Sequence, residues 1–201
     1  MPSVQIKNVP EHTHAVLRQR AATAHQSLQE YLPTKLIQEA STPTVEEVLD
    51  RAGGPGVKCR SRRRPRSSGR ILIVVDASIL APALADDNSD GDAARTGLRG
   101  HALAAPELID LEVASGWQRQ VMAGQLETRR ADLAVADLWA LPLQRIPHRQ
   151  LLTRCWDLWQ DLAPYDAAYV ALAELLDVVL VTGDKRLSRS PGLRCRVQAI
   201  G

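Results

Sequence analysis

Hydrophobic and polar positions change texture twice along this chain. Near the start, Val4, Ile6 and Val9 are set against Ser3, Gln5 and Lys7, which reads as a short, half-buried strand. Pro10-Glu11 opens a helix whose Val16, Leu17 and Ala21 follow a spacing of three and four, running to about His25. Ser27, with Glu30 three residues on, is a capping-box signature for a second helix through Leu28, Leu32, Leu36 and Ile37. Pro33 falls in its middle, where a proline removes a backbone bond and costs about 3 kcal/mol, so an interruption is expected there. A third short helix is expected over 44–51. Residues 52–70, AGGPGVKCRSRRRPRSSGR, offer too few apolar side chains to bury and read as a linker.

From Ile71 onward the pattern alternates. Ile71–Val75 is a continuous apolar run, the mark of a strand covered on both faces. Further strands are expected at 101–105, 178–182 and 194–200. Helices are expected at 78–84, 91–99, 107–123, 127–138, 148–162 and 166–176, with a short one at 185–189. Such alternation predicts a three-layer α/β/α domain around a central parallel sheet, with its ligand crevice beyond the carboxyl ends of the strands.

Four carboxylates stand at junctions in that pattern. Asp76 and Asp184 follow buried strand runs, and Glu112 and Asp166 lie on apolar-periodic helices. Acids so placed suffer desolvation and mutual repulsion unless a cation compensates. A hard divalent ion with oxygen ligands is the simplest compensation. Each acid also has a plain structural reading. Asp76 is a fair helix cap, Asp166 suits a first helical turn, and Asp184 in Thr-Gly-Asp suits a turn. Glu112 is harder to account for in that way, and the four together point to a metal site. No serine sits in a G-x-S-x-G elbow, and Asp76-Ala77-Ser78 lacks the second acid of a phosphoaspartyl pair. The five histidines are scattered. Trp139, Trp156 and Trp159 sit on helix patterns as packing residues, and Trp117 is expected to be partly exposed.

Charge divides the chain in the same place as the pattern. The net +2 hides 12 Lys/Arg against 6 Asp/Glu in residues 1–70, and 13 against 17 in residues 71–201. A basic N-terminal part suits a polyanion or an acidic partner, and an acidic remainder suits a metal. No apolar stretch nears the roughly 20 residues of a membrane span, and no signal pattern opens the chain. Three widely spaced cysteines are an odd number, as in reduced, cytoplasmic proteins.

Two resemblances emerge from these segments. VVDASIL, AAPELIDLEVAS, LAPYDAAYVALAELL and LVTGDKRL, in that order, make residues 71–201 similar to the VapC-type PIN-domain ribonuclease toxins. VQIKNVPEHTHAVLRQRAATAHQSLQEYL makes residues 1–51 resemble the ribbon-helix-helix antitoxins that accompany such toxins. The resemblance implies an endoribonuclease toxin with Asp76, Glu112, Asp166 and Asp184 as catalytic acids. Asp76, Asp166 and Asp184 would be ligands of Mg2+, with Mn2+ as substitute, and Glu112 would orient water or act as a base. Lys185 and Arg186, beside the last acid, are the better candidates for RNA contact among basic residues that include Arg145, Arg149 and Arg154. In a ribbon-helix-helix fold two chains pair their strands in the DNA major groove. That implies a homodimer binding operator DNA through Ser3, Gln5 and Lys7. A separate cognate antitoxin is a further partner the resemblance allows. The competing reading is a DNA-binding regulator whose PIN domain is inactive or only oligomerises.

Overall fold

The computed structural model describes residues 4–53 and 70–200, and the backbone divides into two units, 1–42 and 43–201. Most of the Arg-rich 52–70 segment, together with Ser3, lies outside the described residues.

The first unit is two helices, α1 (Glu11–Thr23) and α2 (Leu28–Ser41). The turn between them needs a left-handed residue, His25, with φ 56°. Gln26 N–H donates to Ala21 O and His25 N–H to Ala22 O, which satisfies carbonyls that the end of α1 leaves open. Ser27 and Glu30 then form the expected capping box, the Ser27 N–H donating to Glu30 Oε2 at 2.9 Å. Contrary to expectation, α2 runs through Pro33. The proline is the sixth helical residue, so only the carbonyl four residues back, Gln29, forgoes its ladder bond, and that carbonyl lies on an exposed segment. Residues 4–9 carry no ladder, because a lone strand has no neighbour within one chain, and Val4 is 78% exposed.

The second unit begins earlier than the pattern places it. Helix α3 (Val45–Ala52), capped by a Thr44–Glu47 box, belongs with the larger unit instead of with the two N-terminal helices. Its Val45, Val48, Leu49 and Ala52 are buried in the larger unit's core.

Strands β1 (Ile71–Val75), β2 (His101–Pro106), β3 (Leu143–Ile146), β4 (Val179–Thr182) and β5 (Val197–Ala199) form one parallel sheet in the order β3-β2-β1-β4-β5. Helices α4 (Ala77–Ala85), α5 (Ser89–Leu98), α6 (Ile109–Met122), α7 (Thr128–Ala140), α8 (Leu152–Asp157) and α9 (Pro164–Leu176) make the connections. Strand β3 is absent from the sequence reading, and what reads as one helix over 148–162 is a 3-10 turn followed by the short α8. The core is Val74, Val75, Leu80, Leu84, Leu103, Ile109 and Leu172, all at or near zero exposure, so the sheet is covered on both faces. The strand order reverses at β1, with β2 on one side and β4 on the other. In open parallel sheets ligand sites form outside the carboxyl ends of the strands at such a reversal, here the ends of β1 and β4.

Candidate active site

Asp76 is the first residue after β1, and its N–H still donates to Val181 O across to β4 at 3.0 Å. Its side chain is buried, and three donors hold it. Ser78 N–H reaches Oδ1 at 3.1 Å, and Ser78 Oγ and Thr182 Oγ1 reach Oδ2 at 2.9 and 2.5 Å. The helix-cap reading of Asp76 therefore holds as well, but capping does not exhaust the group. A carboxylate has about four lone-pair positions, so three donors leave one on Oδ1 for a further partner. Thr182, wholly buried, also accepts from Asp184 N–H at 3.0 Å, so one hydroxyl links the acids that follow β1 and β4. Ser78 Oγ in turn accepts from Gly183 N–H at 2.9 Å.

The other two acids come from helices. Glu112 stands in the first turn of α6, and its Oε2 accepts from the Tyr169 hydroxyl at 2.7 Å. Asp166 stands in the first turn of α9, three residues before Tyr169, so both project from one helix face. Burial raises the Glu112 carboxyl above the ordinary carboxylate range, and the charges of Asp76 and Asp166 add to the rise. Burial likewise raises Asp166, with Asp76 and Asp184 adding. Asp76 thus lies within electrostatic reach of Glu112 and Asp166, and Asp166 within reach of Glu112 and Asp184. Asp184 differs. The Arg186 guanidinium donates to its carboxylate at 2.9 Å and holds it below the ordinary range.

The charge of Asp76 is felt by both Glu112 and Asp166, and that of Asp184 by Asp166, while the basic residues are sorted. Arg186 projects its side chain into solvent from the rim, and Lys185 is exposed beside it. Arg145 is committed to Asp110 by a two-pronged pair at 2.7 and 2.9 Å, and Arg154 to Glu174 at 2.7 Å, so neither is open to phosphate. The tryptophans reverse their expected places. Trp117 is buried and donates to Ala81 O at 3.2 Å, whereas Trp139, Trp156 and Trp159 are exposed. Tyr169 is the site residue that the sequence reading omits. Its signal was a tyrosine on a fully apolar helix face, whose hydroxyl must find a buried partner.

Among the described residues, no three His, Cys, Asp or Glu side chains stand close enough together to enclose an ion. The donor set nevertheless fits a hard divalent cation. It is all oxygen, it carries an open lone pair on Asp76, and two of its carboxyls are raised by their neighbours' charge. No helix among the described residues is long and apolar enough to cross a membrane.

Two families of known proteins match this chain. Residues 73–193 match the family described as PIN domain, and residues 2–38 match that described as Antitoxin FitA-like, ribbon-helix-helix. Ribonuclease VapC1 of Mycobacterium tuberculosis is 38% identical over 128 residues, covering 63% of this chain and 96% of that protein. Ribonuclease VapC9 of the same species is 36% identical over 129 residues, 64% of this chain and 98% of that protein. A solved structure of VapBC2 from Rickettsia felis, bound to a DNA fragment from their promoter, aligns at TM-score 0.48 with 15% identity, over 65% of this chain and 100% of that one. The chain belongs to the PIN-domain family, and within it to the VapC ribonucleases.

Proposed function

We propose that the chain is a metal-dependent endoribonuclease toxin, with Asp76, Glu112, Asp166 and Asp184 as its catalytic acids. The observation that carries this reading is that Asp76 and Asp184 follow the adjacent strands β1 and β4 at the strand-order reversal, while Glu112 and Asp166 are raised by burial and by the charges of neighbouring acids, Asp76 acting on both. Asp76, Asp166 and Asp184 would hold Mg2+, with Mn2+ as substitute, and a divalent ion bound there would supply positive charge to the scissile phosphate and make water a better nucleophile.

The chain's own residues do the rest. Ser78 and Thr182 fix the Asp76 carboxylate and leave one Oδ1 position for a further partner. Glu112, with Oε2 occupied by Tyr169, keeps Oε1 to take a proton from the attacking water, and its raised carboxyl moves toward the working pH of a general base. Lys185 and Arg186 meet the RNA backbone at the rim. Releasing Arg186 from Asp184 would let one guanidinium change partners from carboxylate to phosphate. The match of residues 2–38 to an antitoxin of the ribbon-helix-helix kind supports a second role, with Gln5 and Lys7, and Ser3 before them, facing operator DNA.

The test is cleavage of a defined RNA pool by the full chain with Mg2+, Mn2+ or EDTA, beside Asp76→Ala and Asp166→Ala. Metal-dependent cutting that both substitutions abolish is the expected result. Cutting that persists in EDTA, or survives both substitutions, would refute the site. Silence of the folded full chain in every metal would favour the regulator with an inactive PIN domain.

A further inference from the structure

Helix α6 carries Glu112 in its first turn, and the same flank of the helix goes on through Gly116 to Arg119. The stripe beside that flank, Ile109, Val113 and Trp117, is buried in the core. Gly116 lies in the middle of the 14-residue helix, where glycine is less stable than alanine. The glycines of α5 have internal reasons. A Cβ on Gly91 would collide with Asp86 O, and one on Gly97 with the Ile200 side chain. Gly116 has no such reason. A Cβ placed there meets nothing within 4 Å, so no packed neighbour in the fold requires the side chain to be missing.

Arg119 is equally unclaimed. Arg130, Arg145, Arg154 and Arg186 are each paired with a carboxylate. Arg119 is exposed, and among the described residues it makes no hydrogen bond and no ion pair. Its charge nevertheless reaches Glu112 and offsets part of the rise in that carboxyl, as Arg186 does for Asp166. Seven residues of helix rise by about 10 Å, and long helical side chains lean back toward the N-terminus. The Arg119 side chain is therefore directed along the flank, past Gly116 and toward Glu112.

We propose that this flank of α6 is the floor on which the RNA strand lies as it leaves the acids, with Arg119 holding a phosphate next to the scissile one and Gly116 leaving room for the sugar-phosphate backbone. The inference rests on the nuclease reading, and it gives that reading a direction. The strand crosses the acids from Arg119 on α6 toward Lys185 and Arg186 beyond β4. Charge selects the occupant. Carboxylates repel a phosphate backbone, and Arg119 and Arg186 are cations whose charge is felt among them. A guanidinium with all its donors unspent is suited to phosphate oxygens, which it can meet in pairs. Such a contact is indifferent to base identity, so it sets where the strand lies and not which sequence is cut.

The test is binding of a labelled single-stranded RNA of mixed sequence to the full chain in EDTA, read by anisotropy over a series of salt concentrations. Cleavage of the same RNA in Mg2+ and Mn2+ is run beside it. Arg119→Gln should weaken binding several-fold at low salt, and the slope of log affinity against log salt should flatten by about 0.7, the share of one phosphate on a single strand. Arg119→Lys should restore most of that slope. Gly116→Gln should raise Tm, because the helix gains a better former and nothing inside is displaced, and should still bind RNA several-fold more weakly. Wild-type affinity and slope in Arg119→Gln, or wild-type RNA affinity in Gly116→Gln, would overturn the proposal. So would a wild-type chain that binds no RNA. If Gly116→Gln keeps its RNA affinity but changes its mass in light scattering, the flank belongs to a second copy of the chain and the proposal fails. Binding that depends on Arg119, with no cutting in either metal, would keep the RNA surface and remove the nuclease reading alone.

Discussion

The Tyr169 hydroxyl donates to Glu112 Oε2 at 2.7 Å from a ring that is 1% exposed, so it fixes which Glu112 oxygen faces the crevice. Burial and the neighbouring Glu112 push the phenol well above its ordinary pKa, which keeps the proton on Tyr169 as the donor. Tyr169→Phe should lower RNA cleavage about 10–100-fold, the usual cost of losing a partner that orients a working group. The pH profile of cleavage separates this from a packing role: losing a hydrogen bond that lowers the Glu112 carboxyl should move the acidic limb to higher pH, whereas a purely structural tyrosine would shift Tm and leave the profile unchanged. Asp166 makes the opposite case. Its folded carboxyl is raised by burial and then by Asp76 and Asp184, so the folded chain keeps that proton to higher pH than the unfolded chain. The stability tied to it is present below the ordinary carboxylate pKa of about 4 and is lost as pH rises through the raised folded value. In EDTA, Asp166→Asn should therefore raise Tm at neutral pH and flatten the gain that wild type shows on mild acidification. A lower Tm for the variant in thermal melts at pH 7 would sink this account. The acids themselves were legible because a carboxylate at the end of an apolar strand is costly, which periodicity exposes. Tyr169 was not, because an aromatic on an apolar helix face reads first as core.

At the scale of elements, what could be read depended on how much of an element's reason lay within it. Ile71–Val75 and Val179–Thr182 are continuous apolar runs and were plain. Strand β3, Leu-Gln-Arg-Ile, is four residues long, half polar and paired on one side only, so it exists because β2 offers it a register. No local pattern announces that. Helix α3 was visible as a helix, but its allegiance was not, since the helices it packs against, α4 and α7, are made by residues 25 or more positions away. Pro33 shows the reverse error. A proline at the sixth residue of α2 removes one bond without stopping the helix, because Ser27 and Glu30 have already fixed its first turn. Replacing Pro33 by Ala should restore a bond from residue 33 to Gln29 O, and remove a ring that crowds the same carbonyl. The expected gain in the stability of the first unit is up to about 3 kcal/mol. Circular dichroism during denaturation reads it as a higher midpoint for the N-terminal helical signal. An unchanged midpoint would mean that the proline is already accommodated at no cost, by a bend that the rest of the unit exploits.

The whole molecule joins a unit that can bury its own core to one that cannot. The second unit carries a five-stranded sheet covered on both faces, whereas the first buries only Ala21 and Tyr31 among its described hydrophobic residues. Two helices of 13 and 14 residues with so little buried surface fall below the size at which a chain is usually stable alone. The apolar residues that remain are on the segment before α1, where Val4, Ile6 and Val9 are 78%, 56% and 38% exposed, and on α2, where Leu36 and Ile37 are 47% and 69% exposed. Alternating side chains on an unladdered segment beside an uncovered helix face are what a second copy would cover, by pairing the two segments and closing the helices over them. The family match over residues 2–38 supports that arrangement. We therefore expect the full chain to have the mass of a dimer in solution. Ile6→Asp puts a charge on the side of the segment that faces the helices, so light scattering should find it shifted to the monomer. The four acids and their supports belong entirely to the second unit, and Mn2+ affinity should stay as in wild type. Should Ile6→Asp remain a dimer, the copies associate through the second unit, with the exposed Trp156–Trp159 stack, ring centroids 6.2 Å apart, as the surface to test next. If instead the variant loses both its dimer and its metal affinity, the units depend on each other, and the independence that the acids' own packing implies would have to be given up.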